Sequence, residues 1–146
     1  FPSWANTPAE TRAQYIEKVA EIFERDRFEI TACQVLEAGK AWKEADGDVG
    51  EAIDFLRYYA LQMRELAKPR KVGHAPGEVS LYTYQGRGVN VVIAPWNFPL
   101  AILTGMVGAA AVTGNTVVMK PAEQTSIVAT YLMKACIEAG LPKGVI

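Results

Sequence analysis

Reactive side chains are scarce in this 146-residue chain, which has one histidine and two cysteines. Cys33 and Cys136 lie far apart in stretches that read as helix, with no further cysteine or histidine at ligand spacing, so a metal site and a disulfide framework are both disfavoured. Two scattered cysteines fit a reducing cytosol or organelle matrix. His74, between Gly73 and Gly77, reads as a solvated loop imidazole. Charge of one sign is also missing: the net charge of -1 leaves no basic stripe of the kind nucleic acid requires. A long apolar run is absent too. The stretch Val89 to Val118 is broken by Asn90, Pro95, Asn97, Pro99 and Asn115, which would be costly in lipid, so it reads as a buried soluble core and no membrane partner is expected. No Gly-x-Gly-x-x-Gly occurs. Gly86 and Gly88 run into Val89, Asn90 and Val91, and Gly105 and Gly108 fall inside a predicted helix that is expected to pack closely on a sheet. The opening Phe1-Pro2-Ser3-Trp4 has neither an initiator methionine nor a targeting signal and reads as cut from a longer chain.

What is present is a globular composition, 50% hydrophobic and 21% charged, enough for one core. Thr7-Pro8-Ala9-Glu10 has the form of a capping box, and Ile16, Val19, Ala20 and Phe23 follow at helical spacing, which predicts a helix over roughly Pro8 to Arg27. Ile30, Cys33 or Gln34, and Leu36 predict a shorter one that stops at Gly39. Asp48 can cap a third helix, with Val49, Ile53, Leu56, Ala60, Met63 and Ala67 as its stripe. The acidic cluster around it fails calcium-loop spacing, because Arg57 stands where a closing carboxylate belongs. The period then changes. Val79 to Tyr84 reads as a strand, Val89 to Ala94 as a strand buried on both faces, Pro99 to Thr113 as a helix and Thr116 to Lys120 as a second buried strand. A last helix capped by Thr125 runs toward Gly140, and Gly144-Val145-Ile146 reads as the start of a third strand. The class is therefore α/β: helices followed by the opening β-α-β-α of a doubly wound parallel sheet that is incomplete in this chain, with ligands expected at the carboxyl ends of its strands.

Two strand-end segments can carry chemistry. In Pro95-Trp96-Asn97-Phe98-Pro99 the prolines fix the backbone and the two rings are expected to make the loop stiff and nearly dry, so Asn97 becomes a rigidly held amide donor. Such a donor aimed at a developing alkoxide lowers a barrier by about 3 kcal/mol. The competing use of the same asparagine is to satisfy backbone groups in a turn. In Met119-Lys120-Pro121-Ala122-Glu123, a lysine and a carboxylate three positions apart can grip the two hydroxyls of an adenosine ribose, and the carboxylate would repel a 2′-phosphate, favouring NAD over NADP. The alternative is a surface ion pair worth under about 1 kcal/mol.

The string Pro95 to Pro99 together with Lys120 and Glu123 resembles the aldehyde dehydrogenase family. The segments Glu37-Ala38-Gly39-Lys40, Glu44-Ala45-Asp46 and Glu51 to Ala60 are similar to its 1-pyrroline-5-carboxylate (L-glutamate γ-semialdehyde) dehydrogenase branch, as is Asn97 to Ile102 with Gly105 and Met106. The resemblance implies an oxyanion role for Asn97, an aldehyde channel lined by Phe98, and a substrate pocket near Glu51, whose other reading is support for a helix amino end. It implies cofactor contacts from Ile93, Ala94, Pro95, Trp96, Lys120 and Glu123, with no metal. It further implies NAD-dependent oxidation of a small-molecule aldehyde in proline catabolism, by a homo-oligomer. Residues 1–76 would then be the helical part of the cofactor domain, 77–86 a strand of the oligomerisation sheet, and 87–146 the first β-α-β-α of the NAD-binding domain. The catalytic domain and its nucleophilic cysteine would lie outside this chain, which alone is expected to be inactive. Two other readings remain at this point: a non-catalytic nucleotide-binding or subunit-assembly module, and an acyl-phosphate or thioester reductase of similar fold.

Overall fold

The computed structural model describes residues 1–146, and its first half is helical because apolar residues recur there at helical spacing. A short helix α1 (Pro2–Ala5) leads into α2 (Ala9–Arg25), α3 (Arg27–Ala38) and α4 (Trp42–Leu66). Helix α2 buries Ile16, Val19, Ala20 and Phe23, as the spacing predicts. Helix α4 buries Val49, Ile53, Leu56, Ala60 and Met63, while Ala67 lies past its end and is exposed. In α3 the buried positions are Ile30, Thr31 and Gln34; Leu36 points to solvent. Gly39, at φ 66°, ends that helix where predicted, since a left-handed C-cap costs glycine no Cβ clash.

Helix caps differ from the sequence expectation. The Thr7 hydroxyl donates to the Ser3 carbonyl at 3.1 Å and makes no capping box; α2 begins after Pro8 with no side-chain cap. Asp48 lies inside α4, which starts back at Trp42. Its fully buried carboxylate accepts the amides of Leu100 (3.2 Å) and Ala101 (3.4 Å), and so caps α5 (Ala101–Val112) instead. At the other end of α5, Arg12 Nε donates to the Val112 carbonyl and Trp4 Nε1 to the Ala111 carbonyl, both at 2.9 Å. An anion at the amino end and a cation at the carboxyl end is the polarity a helix dipole favours. Thr125 likewise gives α6 (Ser126–Glu138) no side-chain cap. Glu37 of α3 supplies it, accepting the amides of Ile127 (2.7 Å) and Val128 (2.8 Å).

Strands β3 (Val89–Ile93) and β4 (Thr116–Lys120) pair in parallel, from Val89 opposite Thr116 to Ile93 opposite Lys120, with α5 as the crossover. The expectation of burial on both faces is not met. Val92, Ala94 and Val117 are buried beneath helices, whereas Val89, Val91, Ile93 and Val118 on the other face are more than half exposed, because no element of this chain covers them. Nor do the glycines of α5 serve packing on the sheet. A Cβ added at Gly105 would come within 3.0 Å of the Phe55 ring, and one at Gly108 within 2.9 Å of Leu56 Cδ2, so they admit α4 instead. The Val145 carbonyl accepts the Val117 amide at 2.7 Å beside β4, but no third strand forms. A separate antiparallel ribbon joins β1 (Arg70–Lys71) to β2 (Leu81–Tyr82); the strand expected over Val79 to Tyr84 shortens to these two residues, which are exposed and have no core to pack on. No helix is long and apolar enough to cross a membrane.

Candidate functional site

The Ala94 amide donates to the Lys120 carbonyl at 3.2 Å, tying the ends of β3 and β4 together. The loop Pro95–Pro99 and the segment from Lys120 to the 3-10 turn Glu123–Thr125 therefore leave the sheet side by side at its carboxyl edge, the edge at which such sheets present ligands.

The loop is anchored from below. Pro99 and Leu100 are buried, and Asp48 holds the amides that follow. Lys40, just past the end of α3, donates from its ammonium to the Asn97 backbone carbonyl at 3.1 Å. The same ammonium lies 4.4 Å from the centre of the Phe98 ring and 3.7 Å from Asp48 Oδ1. The Lys40 side chain is only 9% exposed and that of Asp48 is fully buried. Burial pushes the Asp48 carboxyl above its ordinary value, opposed by the Lys40 charge and by the two backbone amides.

Stiffness is thus supplied by contacts as well as by proline, but the expected dryness is absent. Trp96 is 57% exposed, Phe98 is 42% exposed and Asn97 is exposed between them, because no element of this chain closes over that edge. Lys40 takes the Asn97 backbone carbonyl and leaves the carboxamide free; no hydrogen bond from that amide to turn backbone is formed.

An open cleft of about 500 Å³ is bordered by Lys40, Asp48, Glu51, Trp96, Asn97 and Phe98. Three of the loop's predicted site residues therefore meet Glu51 here. Glu51 is exposed in the interior of α4 and does not support its amino end, which lies at Trp42. The remaining predicted residues sit elsewhere along the same edge. Ile93 is exposed on the open sheet face, in register with Lys120. Ala94 is buried and Pro95 half-buried, so Ala94 offers only backbone, its amide already engaged. Lys120 and Glu123 are exposed outside the cleft and form no ion pair; the Lys120 ammonium reaches only the Pro121 carbonyl, at 3.3 Å.

Sequence reasoning missed Lys40 and Asp48 as parts of this site. They act across 57 and 52 residues respectively, beyond any local spacing rule, and the only hint was a charged residue directly after a glycine helix stop. The cysteines are not candidates for a nucleophile. Burial pushes the Cys136 thiol up to about 12, and burial with nearby Glu37 and Glu29 raises that of Cys33, so neither is a ready thiolate. No group of three or more histidine, cysteine, aspartate or glutamate side chains is placed to hold a metal.

With this geometry in place, similarity to known proteins is informative. The profile of the aldehyde dehydrogenase family matches residues 1–146. A 1-pyrroline-5-carboxylate dehydrogenase of Halalkalibacterium halodurans is 51% identical over all 146 residues, and one of Bacillus subtilis is 48% identical over the same span. This chain covers 28% of the length of each. Among solved structures, proline utilization A from Bdellovibrio bacteriovorus, inactivated by N-propargylglycine, superposes with a TM-score of 0.97 at 66% identity, over 99% of this chain and 15% of that one. A Thermus 1-pyrroline-5-carboxylate dehydrogenase with bound NAD gives 0.97 at 43% identity, over 99% of this chain and 28% of that one. The α/β organisation read from the sequence is thus the amino-acid pattern of a known fold, and the chain belongs to the aldehyde dehydrogenase family.

Proposed function

We propose that the protein of which this chain forms part oxidises L-glutamate γ-semialdehyde to glutamate with NAD, a step of proline catabolism. The observation that carries this reading is the free Asn97 carboxamide, presented by a loop whose backbone is clamped by Lys40 at the carboxyl edge of the parallel sheet. An amide held in this way donates to the oxygen of an aldehyde as attack turns the carbonyl into an alkoxide, and a donor fixed beforehand needs no reorganisation at that moment. The attacking thiolate comes from outside this chain, so residues 1–146 alone do not turn over.

When bound, NAD would supply the hydride acceptor for the substrate carbon. The chain's part is to bind it: Lys120 and Glu123, unpaired at the strand end, fit the two ribose hydroxyls as donor and acceptor, and Ile93, Ala94, Pro95 and Trp96 flank the same edge. The Glu123 carboxylate disfavours a 2′-phosphate. Phe98 and Glu51 border the cleft beside Asn97 and line the approach of the aldehyde. Residues 87–146 open the NAD-binding unit, residues 1–76 back it with helices, and the strand within residues 77–86, paired with β1 in a ribbon separate from the β3/β4 sheet, serves subunit association in a homo-oligomer.

The test is to supply the full-length protein with L-glutamate γ-semialdehyde and NAD and follow NADH. Steady NADH formation, with shorter unsubstituted aldehydes oxidised more slowly, is the expected result. No NADH from any aldehyde would overturn the reading.

A further inference from the structure

One ammonium group makes three contacts at the base of the Asn97 loop, and none of them is explained by helix or sheet formation. Lys40 Nζ donates to the Asn97 carbonyl at 3.1 Å, stands 4.4 Å from the centre of the Phe98 ring, and lies 3.7 Å from the Asp48 carboxylate. Removing a lysine from water is unfavourable unless its charge is met, and here the side chain is 9% exposed beside a carboxylate that has no exposure at all. Asp48 is itself committed to the amides of Leu100 and Ala101, the first residues after the loop. Lys40 and Asp48 therefore grip the loop on both sides of Phe98: the lysine at Asn97 and the ring, the aspartate at the residues leading into α5.

We propose that Lys40 is a positioning residue for the Asn97 amide, fixing the loop through the Asn97 backbone carbonyl and the Phe98 ring while Asp48 holds both the ammonium and the start of α5. This inference rests on the oxyanion role given above to Asn97. Within residues 1–146 nothing packs over Trp96, Asn97 and Phe98, and the prolines at either end restrict the backbone without fixing the peptide between them, so the Lys40 contacts are what this chain supplies to hold the amide direction. A cation bonded to the carbonyl of the same residue whose side chain must point at the substrate removes that freedom. A misplacement of about 1 Å in such a group can cost on the order of a hundredfold in rate.

The test uses the full-length protein and two independent readouts. Lys40→Met keeps the apolar stem and removes the charge and donor; Lys40→Arg restores both. Hydrogen exchange of the peptide spanning residues 96–103 should speed up in Lys40→Met and return toward the wild-type rate in Lys40→Arg, whether or not any substrate is present. In single-turnover oxidation of glutamate semialdehyde, Lys40→Met should slow acylation by about tenfold to a hundredfold with NAD affinity held within about twofold. Introduced into an Asn97→Ala background, the same change should cost little more, because the group it positions is already gone. Unchanged exchange in Lys40→Met would overturn the clamp. An equal loss of rate with and without the Asn97 amide would overturn its coupling to that amide. A wild-type protein that oxidises no aldehyde would sink the enzymatic reading, while the exchange measurement would still decide the clamp by itself.

Discussion

The Asp48 carboxylate accepts two backbone amides and faces one ammonium, with its own side chain fully buried and that of Lys40 only 9% exposed. Each contact depends on the others, since a carboxylate stripped of its lysine, or a lysine stripped of its carboxylate, would be a buried unpaired charge. Asp48→Ala should therefore destabilise the protein by about 3 kcal/mol or more, measured by urea unfolding, and the two freed amides add to the loss. The pH dependence has a definite sign. Burial raises the Asp48 carboxyl above its unfolded value, so the folded state holds that proton more tightly than the unfolded chain does. Its contribution to stability is fully present below the unfolded carboxylate range and is lost as pH rises through the raised folded value. The stability difference between the wild type and Asp48→Asn should widen as pH falls from neutral into the carboxylate range; a constant or narrowing difference would count against this account of the site. Asp46, Asp26, Glu10 and Glu138, lowered chiefly by side-chain hydrogen bonds to arginine, act in the opposite sense, and comparison with the asparagine variant removes their common contribution.

Helices α5 and α6 receive their amino-terminal caps from other helices, and this sets what a sequence can reveal about them. Glu37 accepts two amides at the start of α6 across 90 and 91 residues. Glu37→Ala should cost about 1 kcal/mol, read as a lower urea midpoint at unchanged slope, whereas Thr125→Ala should cost no capping energy because Thr125 makes no cap. Elements written by local periodicity were legible: the stripe of α4, the inner face of α2, the stop at Gly39, and the β3-α5-β4-α6 alternation all follow from spacings within one element. The caps were not. Thr7, Asp48 and Thr125 each satisfy a local rule, yet the Thr7 hydroxyl donates back to Ser3, α4 begins at Trp42 ahead of Asp48, and Glu37 takes the amides at the start of α6. The continuous apolar run of β3 suggested two covered faces; within residues 1–146 only the face of Val92 is covered, and no element of this chain lies over Val89, Val91 and Ile93. The glycines of α5 likewise signalled close approach without saying to what; the answer is Phe55 and Leu56 of α4.

For the molecule as a whole, the parallel sheet brings a loop and a strand end together at one edge, although Asn97 and Lys120 lie 23 residues apart in sequence by their numbering. The loop composition made Asn97 visible as a candidate; the clamp beneath it was invisible, because Lys40 and Asp48 reach it across more than fifty residues. At this scale the proposed preference for NAD over NADP rests on one charge. Glu123→Gln in the full-length protein should raise turnover with NADP relative to NAD by about tenfold or more, since juxtaposed like charges cost several kcal/mol, and an unaltered ratio would remove Glu123 from the ribose site. The central claim concerns Asn97, and single-turnover acylation of the Asn97→Ala full-length enzyme tests it most directly. The account predicts a fall of about a hundredfold to a thousandfold in that rate with the dissociation constant for NAD essentially unchanged. An acylation rate equal to that of the wild type, or a loss matched by weakened NAD binding, would contradict it.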